Sequence, residues 1–481
     1  MSHSAVANPQ VLIVGAGPTG LVLACELARR GIIPRIVDKA SAYFLGSRGD
    51  GLQPRTLEVF HDLGVLDAVL AAGDTAPVVR VFDGAEVVAE MRMAEPTEPT
   101  PDVPYPNLWF VPQFRTEEIL RARLAELGGR VELATELVDF IQDDDGVTAT
   151  LRHDGADEVV RVDYLVGADG GRSTVRKQAG IDFVGDTDET ITAMLADVRV
   201  DGLDLARGYA WVNGGIALSP IAGTDLFNLA GAPPADGSPV TVELLQSLVD
   251  EASGRSDIRI REIVWATVWR ANVRVAARFQ EGRVLLAGDA AHVCPPTGGQ
   301  GLNTGVQDAY NLGWKLARSR ELVDTYAVER LPIAHGVLEL AARTLRRHVD
   351  GDENAHQRGA EFHQLALNYR GGPLSRDERA TPGPLRAGDR APDAPCQENG
   401  AAVRLFEVFQ GPGWTLLEFR DDVVIAGDRT LLDVDGHARA AYGAEGFVLV
   451  RPDGYIGLTA DGRDAVEAYL ESIAAGAVVV G

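Results

Sequence analysis

Residues 11–38, VLIVGAGPTGLVLACELARRGIIPRIVD, hold the pattern that decides the fold. Val11 to Val14 form a short apolar run that predicts a buried strand, and the glycine-rich turn GAGPTG follows it directly. The next segment, LVLACELARRG, carries apolar residues at helical spacing, and Ile33 to Val37 predict a second strand that ends at Asp38. This order of strand, turn, helix and strand predicts a βαβ unit that binds an adenine dinucleotide.

The glycines of this unit have separate roles. Gly15 makes the tight turn, Gly17 lets the backbone approach a pyrophosphate, and Gly20 allows the helix to pack on the strand. Asp38 follows Gly15 by 23 residues, which suits a carboxylate that accepts a hydrogen bond from a ribose hydroxyl. Pro18 lies inside the same turn and is counted among the candidate cofactor-binding residues. This unit by itself does not distinguish FAD from NAD(P).

Residues 284–305, VLLAGDAAHVCPPTGGQGLNTG, join a strand to a helix through a loop with few side chains. Val284 to Ala287 predict a buried strand that ends at Gly288-Asp289, and helical spacing resumes from Asn303 to Leu316. A glycine-rich loop before a helix exposes backbone N–H groups to an anionic or flat ligand that comes very close. An ordinary strand-to-helix turn is the alternative. The candidate residues of this stretch are Asp289, Pro295, Gly298, Gly299, Gln300, Gly301, Leu302 and Asn303.

A third strand end and two polar side chains complete the candidates. The segment YLVGADGGRSTVR places Asp169 in the same setting as Asp289, with capping of the following helix as its other role. Arg48 follows the second strand and is placed to meet a phosphate or ribityl chain, although a surface ion pair is the commoner role of an arginine. Gln113 lies on a loop before a helix whose N-cap candidate is Thr116, so it could bond a cofactor or neighbouring backbone.

Composition excludes several partner classes. The 481 residues carry 45 Lys and Arg against 70 Asp and Glu, and a net charge of -25 argues against nucleic acid and anionic membranes. No apolar run approaches the length of about 18 residues that spans a bilayer. The 3 cysteines have no CxxC spacing, so we expect neither a structural disulfide nor a bound metal, and a cytoplasmic location.

Three motifs taken together carry a family resemblance. GAGPTG with Asp38, VGADGGRSTVR at 166–176 and LLAGDAAHVCPPTGGQGLNTGVQDAYNLGWKL at 285–316 resemble the group A flavoprotein aromatic hydroxylases, along the whole chain. The resemblance implies that FAD occupies the Rossmann-like unit, that NAD(P)H is a transient co-substrate and that O2 is consumed. It also implies hydroxylation of a phenolic or polycyclic, polyketide-like aromatic through a C4a-hydroperoxyflavin.

The resemblance also assigns roles to single residues. Arg48 and Gln113 match the family's flavin-contacting arginine and glutamine by position, and Asp289 matches its contact to the ribityl or pyrophosphate region. The loop from Pro295 to Gln300 would position the flavin ring. Amide N–H groups from Gly299 to Asn303, at a helix N-terminus, would stabilise negative charge near N1 and C2=O of that ring.

The predicted architecture is α/β, with a Rossmann-like FAD-binding domain, an interleaved β-sheet substrate domain and a C-terminal thioredoxin-like domain. The C-terminal prediction rests on a resemblance to phenol-hydroxylase relatives, in which RPDGYIG at 451–457 is the most specific piece. Without a CxxC pair, we expect this domain to give structural support or a homodimer contact. The predicted ranges are 1–75, 111–180 and 281–370 for FAD binding, 76–110 and 181–280 for the substrate, 371–395 for a linker and 396–481 for the C-terminal domain.

Several points stay open at this level. The sequence marks no general base, and we expect His292 and Cys294 to pack rather than to react. Baeyer-Villiger or epoxidising chemistry by the same flavin is the nearest alternative, and a flavoprotein dehydrogenase or oxidase is the alternative of another class. NADPH and NADH are not distinguished. The aromatic residues that could line a substrate pocket, although strand aromatics are mostly core, are Trp211, Trp265, Trp269 and Phe227.

Overall fold

The computed structural model describes residues 10–295, 298–352 and 355–474, so Pro296 and Thr297 of the predicted cofactor loop lie outside the described residues. The centre of the molecule is a six-stranded sheet whose middle strands are parallel. In spatial order its strands are Gln280–Glu281, Val284–Leu286, Tyr164–Gly167, Val11–Val14, Arg35–Val37 and Val131–Glu132.

The βαβ unit forms as the sequence predicts. All four residues of Val11–Val14 are buried, because strands flank them on both sides and their side chains belong to the main hydrophobic core. The Gly15 N–H donates to the Val37 carbonyl oxygen at 2.8 Å, which ties the turn to the second strand. The helix Pro18–Ala28 begins three residues before the apolar LVLACELARRG segment, since proline suits the first turn of a helix.

The two longest helices among the described residues, Gly301–Leu316 and Arg320–Val349, pack against each other. Among the residues described, no helix combines the length and the apolar character that a membrane span requires. The prediction that Gln113 lies on a loop before a helix with Thr116 as its N-cap is wrong. The helix begins at Gln113, Pro112 is its N-cap, and Thr116 is buried inside its first turns. The α-helices are Pro18–Ala28, Pro54–Asp62, Leu66–Ala72, Gln113–Glu126, Thr174–Gln178, Val242–Ser253, Gly301–Leu316, Arg320–Val349, Leu405–Phe409, His437–Tyr442 and Arg463–Ala474.

An eight-stranded sheet packs beside the parallel sheet and has its own core. Its long central pair, Phe183–Asp201 and Arg259–Ala276, is antiparallel. Phe82 and Trp211 stack in the core of this sheet with ring centroids 5.6 Å apart. In spatial order its strands are His292–Val293, Arg259–Ala276, Phe183–Asp201, Leu226–Gly231, Ile216–Pro220, Gly208–Trp211, Val79–Asp83 and Glu86–Met91.

Three further sheets complete the fold. One is an antiparallel three-stranded sheet, a second joins short segments near the cofactor loop, and the third is an eight-stranded C-terminal sheet. The first consists of Thr135–Asp143, Gly146–His153 and Ala156–Val162, and the second of Gly51–Leu52, Trp109–Phe110 and Asp74–Thr75. The third consists, in spatial order, of Arg376–Glu378, Ile456–Ala460, Glu445–Val450, Thr415–Arg420, Val423–Ala426, Arg429–Leu432, Pro395–Glu398 and Ala401–Arg404. Its edge strand Arg376–Glu378 comes from the predicted linker.

The C-terminal sheet is joined to the helices by a buried ionic network built on the RPDGYIG motif. Arg451 makes two bonds to the Glu329 carboxylate, at 2.6 and 2.8 Å, and a further bond to Asp453 at 2.9 Å. Lys315 Nζ donates to Glu329 at 2.7 Å, and Asn311 Nδ2 donates to both carboxylates. Because buried charges are costly unless they are paired, this network holds the C-terminal sheet in a defined position against the helices Gly301–Leu316 and Arg320–Val349.

Glu329→Gln should therefore destabilise the protein strongly. The change leaves the Arg451 and Lys315 charges without their shared carboxylate, and we expect the free energy of unfolding to fall by about 3 kcal/mol. Urea unfolding followed by circular dichroism measures this loss. Glu321→Gln, on the exposed face of the same helix, is the control, and equal effects of the two changes would contradict the assigned role of the network.

Candidate functional site

A long cavity of about 910 Å³ lies between the carboxyl ends of the parallel strands and the eight-stranded sheet. It brings together residues that the sequence separates by more than two hundred positions. The predicted residues in its wall are Gly15, Gly17, Pro18, Asp38, Arg48, Gln113, Asp169, Asp289, Pro295, Gly298, Gly299, Gln300, Gly301 and Leu302. Of the predicted set, Gly20 and Asn303 are not in this wall.

The three glycines of GAGPTG differ in what surrounds them. A Cβ on Gly15, whose φ is +106°, would lie 2.3 Å from the Ala168 carbonyl oxygen, and a Cβ on Gly20 would lie 2.0 Å from the Gly15 carbonyl oxygen. Both positions are thus closed by protein. A Cβ on Gly17 would meet no described atom within 4 Å, although Gly17 lines the cavity. The backbone at Gly17 is thus open to the cavity, as the predicted approach of a pyrophosphate requires.

Asp38 holds the glycine-rich turn in place. Its two carboxylate oxygens accept hydrogen bonds from the backbone N–H groups of Ala16 and Ala40, each at 2.9 Å. Asp38 also lines the cavity, and each oxygen has a second lone pair. The same carboxylate therefore fixes the turn and offers an acceptor at the end of the cavity next to Gly17.

Asp169 is a helix cap, the other role that the sequence allows for it. One carboxylate oxygen accepts from Ser173 Oγ at 2.5 Å, and the other from the Thr174 and Val175 N–H groups at 2.7 and 3.2 Å. Asp169 nevertheless lines the cavity, so the cap is itself part of the site wall.

Asp289 lies where the strand Val284–Leu286 gives way to the cofactor loop. Its side chain faces the open cavity, and burial by the surrounding protein raises its pKa, against the lowering effects of His292 and Arg48. Burial, together with Asp289, also raises the pKa of the Cys294 thiol to about 12. Cys294 therefore remains a neutral thiol, in line with the packing role expected for it.

Asp308 anchors this loop from behind. Its Oδ2 accepts from the Gly288 N–H at 3.0 Å and lies 2.7 Å from His292 Nε2, while its Oδ1 accepts from Arg330 Nε at 2.7 Å. The Arg330 guanidinium and His292 hold the pKa of Asp308 at about 2 despite its burial. His292 is 1% exposed and packs, as expected, although it lies in the short strand His292–Val293 rather than in a loop.

The backbone carbonyl groups of Gly298, Gly299 and Gln300 in the cofactor loop accept hydrogen bonds from nearby side chains. The Gly298, Gly299 and Gln300 carbonyl oxygens accept from Gln300 Nε2, Asn303 Nδ2 and Thr304 Oγ1 at 2.9, 2.7 and 2.8 Å. The helix Gly301–Leu316 begins at this point, and the first N–H groups of a helix have no partner within it. They lie at the cavity wall, where they offer positive charge to a ligand.

Two polar residues predicted to contact the cofactor, Arg48 and Gln113, line the cavity. The Arg48 guanidinium lies 4.3 Å from the centroid of the Phe44 ring, and Gln113 Nε2 donates to Glu117 Oε1 at 2.8 Å. Of the aromatic candidates, Trp269 lines the cavity, whereas Trp211 and Phe227 belong to the core of the eight-stranded sheet. A further candidate, Trp265, packs edge-on against Phe44.

Asp50 is the site residue that sequence reasoning missed. It lies in the segment SRGDG, lines the cavity, and has its pKa raised to about 6 by burial, with a further contribution from the buried carboxylate of Asp197. Asp197 in turn accepts from the Ser47 N–H at 2.7 Å and from Asn228 Nδ2 at 2.9 Å. An acidic residue two positions after Arg48 was the available signal, but nothing local showed that it meets the second sheet.

A second cavity of about 880 Å³ lies on the other side of Arg172 and Trp269, which line both. Its charged lining residues are Arg172, Arg176, Lys177, Arg270, Arg274 and Asp182. Arg176 donates to the backbone carbonyls of Gly171 and Ala290, each at 2.8 Å, rather than to a carboxylate. Within the described part of the chain, no ion pair with a carboxylate involves Arg172, Arg176, Lys177 or Arg274. The cleft is thus cationic in an otherwise acidic protein.

Comparison with known proteins identifies the kind of site. A family model described as "FAD binding domain" matches residues 8–341, and one described as "Aromatic-ring hydroxylase, C-terminal" matches residues 385–477. A "Flavin-dependent monooxygenase" of Mycobacteroides abscessus is 45% identical over 479 residues, covering 96% of this chain and 99% of that protein. The "12-dehydrotetracycline 5-monooxygenase/anhydrotetracycline 6-monooxygenase" of Streptomyces rimosus is 34% identical, covering 94% and 95%.

A solved structure extends this likeness to three dimensions. A ternary complex of aklavinone-11 hydroxylase with FAD and aklavinone superposes with a TM-score of 0.81 at 29% identity, covering 99% of this chain and 100% of that one. FAD is therefore the cofactor, and the space beside Gly17, the acceptor Asp38 and the helix N-terminus at Gly301 suit its pyrophosphate, its ribose and a negatively charged part of its ring.

Gly17→Ala should weaken FAD binding without unfolding the protein. The added methyl group meets no described protein atom but enters the space that the pyrophosphate needs, so we expect the FAD dissociation constant to rise about 10-fold. Titration of apoprotein with FAD, followed by flavin fluorescence, measures this change. Gly336→Ala, at an exposed helical glycine with equally open surroundings, is the control. Equal FAD affinity in the two variants would contradict the placement of the pyrophosphate.

Proposed function

Since this chain belongs to the FAD-dependent aromatic-ring monooxygenases, we propose that it uses NAD(P)H and O2 to hydroxylate a phenolic or polycyclic, polyketide-like aromatic. Membership of this family favours a monooxygenase over a flavoprotein dehydrogenase or oxidase. The observation that carries the proposal is the position of Asp50, an acid with a pKa of about 6, in the cavity wall shared by the cofactor loop and the apolar sheet.

The part of the cavity next to the eight-stranded sheet suits a flat aromatic substrate. Its wall there is mainly apolar, and Asn228 and Asp50 are polar groups among these side chains. The apolar lining residues are Met93, Leu108, Phe110, Ala193, Leu195, Ala230 and Trp269. Such a wall binds a large ring system by burial and orients it by a few polar contacts. The related tetracycline and aklavinone enzymes support a polycyclic substrate of this kind.

Asp50 gives this surface a chemical function. FAD, when bound and reduced, supplies the activation of O2. A phenol reacts with an electrophilic oxygen much faster as its phenolate, so the ring needs a group that accepts its hydroxyl proton. Asp50 in its ionised form is a suitable acceptor, because a pKa near 6 leaves it mostly ionised at neutral pH yet more basic than an ordinary carboxylate. The cofactor loop would hold the flavin ring of bound FAD beside the same space.

The cationic cleft supports NAD(P)H as the reductant. A dinucleotide carries a negatively charged pyrophosphate, and the sequence contains one GxGxxG unit, which FAD occupies. Lys177 and Arg274 line the cleft, and Arg172 and Trp269 separate it from the FAD cavity. Positive side chains without carboxylate partners attract phosphate groups at long range and bind them on contact. We therefore propose that the phosphates of NAD(P)H dock in this cleft while the cofactor is reduced.

Asp50→Asn should separate reduction of the flavin from hydroxylation. We expect the rate of product formation to fall about 100-fold or more, since an amide cannot accept the proton, while FAD still binds and is reduced. In the wild-type protein kcat/KM for the phenol should rise with pH through about 6 as Asp50 ionises, and then level off. The variant should lose this rise.

The controls for Asp50→Asn test the proton transfer itself. A phenol with a pKa below about 5 is already ionised at neutral pH, so the variant should hydroxylate it at nearly the wild-type rate. Asp74→Asn, at an exposed carboxylate outside the cavity, should leave both substrates unaffected. Equal losses with the acidic and the ordinary phenol would contradict a role for Asp50 as the proton acceptor.

Lys177→Gln and Arg274→Gln should each raise KM for the reduced dinucleotide. We expect about a fivefold increase for each lost charge, with an unchanged FAD dissociation constant and a weaker dependence of KM on salt. Stopped-flow reduction with NADPH and with NADH measures the effect and shows which dinucleotide the protein prefers. Arg130→Gln, at an exposed arginine outside both cavities, is the control, and the same KM in all variants would place the dinucleotide elsewhere.

A further inference from the structure

Residues 355–370, which we call the strap, lead from the long helix to the C-terminal sheet and cross the back of the cofactor loop. The Arg358 N–H donates to the Met93 carbonyl oxygen at 2.9 Å, and both residues line the cavity. The Phe362 carbonyl oxygen accepts from Gln300 Nε2 at 3.1 Å. The strap therefore contacts both the cavity wall, at Met93, and the cofactor loop, at Gln300.

Gln364 is the residue of the strap with the most bonds to this loop region. Its Nε2 donates to Gln300 Oε1 at 2.7 Å and to Thr304 Oγ1 at 3.1 Å, and its Oε1 accepts from Gln307 Nε2 at 2.5 Å. The side chains of Gln300, Gln307 and Gln364 are 1%, 3% and 3% exposed. A buried amide needs partners for its donors and its acceptor, and Gln364 finds them all on one short stretch of loop and helix.

These bonds have a single direction. Gln307 donates to Gln364, Gln364 donates to Gln300, and Gln300 donates to the Gly298 carbonyl oxygen at 2.9 Å. Gln364 and Gln300 each present their amide oxygen to one neighbour and their nitrogen to the next, so the orientation of Gln300 depends on the donor that Gln364 supplies. Gln300 in turn holds Gly298, the start of the glycine pair in the loop. A change at Gln364 is thereby transmitted to the loop backbone.

The backbone at Gln364 is strained in order to make these contacts. Its φ is +61°, a left-handed conformation that favours glycine and asparagine over other residues. Such a conformation persists where the surroundings compensate its cost, and the three side-chain bonds are the compensation seen here. Glycine would relax this strain but would lose every bond. The combination indicates that the amide, rather than the turn, is what the position requires.

We propose that Gln364 is a positioning residue of the FAD site: it acts through Gln300 to fix the Gly298-Gly299 backbone against the flavin ring. The strap belongs to neither the parallel sheet nor the eight-stranded sheet beside it. Through Gln364 it then determines the direction in which the cofactor loop points its backbone N–H groups. The consequence is a Gly298-Gly299 backbone that is already fixed before the cofactor binds. The inference rests on the proposed function only for the coupling of NAD(P)H consumption to product.

Two variants with opposite structural defects test this role. Gln364→Gly fits the positive φ but leaves a space, whereas Gln364→Met keeps the volume but not the donor, so their shared effect reports the lost amide. We expect both to raise the FAD dissociation constant about 10-fold, to shift the visible absorption bands of bound FAD and to lower the product formed per NAD(P)H consumed. Gln357→Ala, on the exposed side of the strap, is the control and should behave as wild type.

The outcomes separate positioning from plain stability. Thermal unfolding of each apoprotein gives the structural cost of the change, and FAD titration and spectra are taken below that transition. Lower thermal stability with wild-type FAD affinity, spectrum and coupling would assign Gln364 a purely structural role and overturn the proposal. If wild-type protein binds FAD but hydroxylates no phenol, the proposed function fails, while the dissociation constants and spectra still decide the role of Gln364.

Discussion

The buried ion pair between Asp308 and Arg330 is the interaction on which the site depends. Two charges without access to water are tolerated only when each finds a partner and further hydrogen bonds. Asp308 meets this condition by also binding the Gly288 N–H and His292, which fixes the beginning of the cofactor loop. Arg330 meets it by donating to the Tyr369 hydroxyl, at 3.0 Å, in the strap. One pair thereby sets the position of loop, helices and strap together.

The same principle extends from the site to the C-terminal sheet. Tyr369 packs against Tyr455 with ring centroids 4.4 Å apart, and the Arg451 guanidinium lies 5.0 Å from the Tyr369 ring. Arg451 then pairs with Glu329 on the helix that also carries Arg330. Because each buried charge needs its particular partner, the C-terminal sheet docks in one register. These contacts support the structural role expected for this part of the chain, and both that role and the homodimer contact remain predictions.

Much of the site was predictable because its elements are local. An apolar run followed by small residues marks each of three segments: GAGPTG, the strand before Asp169 and the strand before Asp289. Because parallel strands end at one edge of a sheet, these three segments were expected to meet there. Their side-chain bonds were harder to foresee. Asp38 and Asp169 accept hydrogen bonds from backbone N–H groups, and known sequence patterns for turns and helix caps predict bonds of this kind. Asp50 and Gln364 become site residues only through partners from distant segments.

The sequence by itself determined the dinucleotide-binding βαβ unit, the α/β class and the glycine-rich loop before the helix, since hydrophobic period and glycine placement act over a few residues. Only the tertiary structure decided which polar side chains from distant segments line the same cavity. Asp50 is an ordinary loop carboxylate until the second sheet buries it beside Asp197, and that burial raises its pKa to about 6. Gln364 is an ordinary polar residue until the strap crosses the loop. Desolvation and long-range hydrogen bonding depend on which segments meet, and no local pattern encodes that meeting.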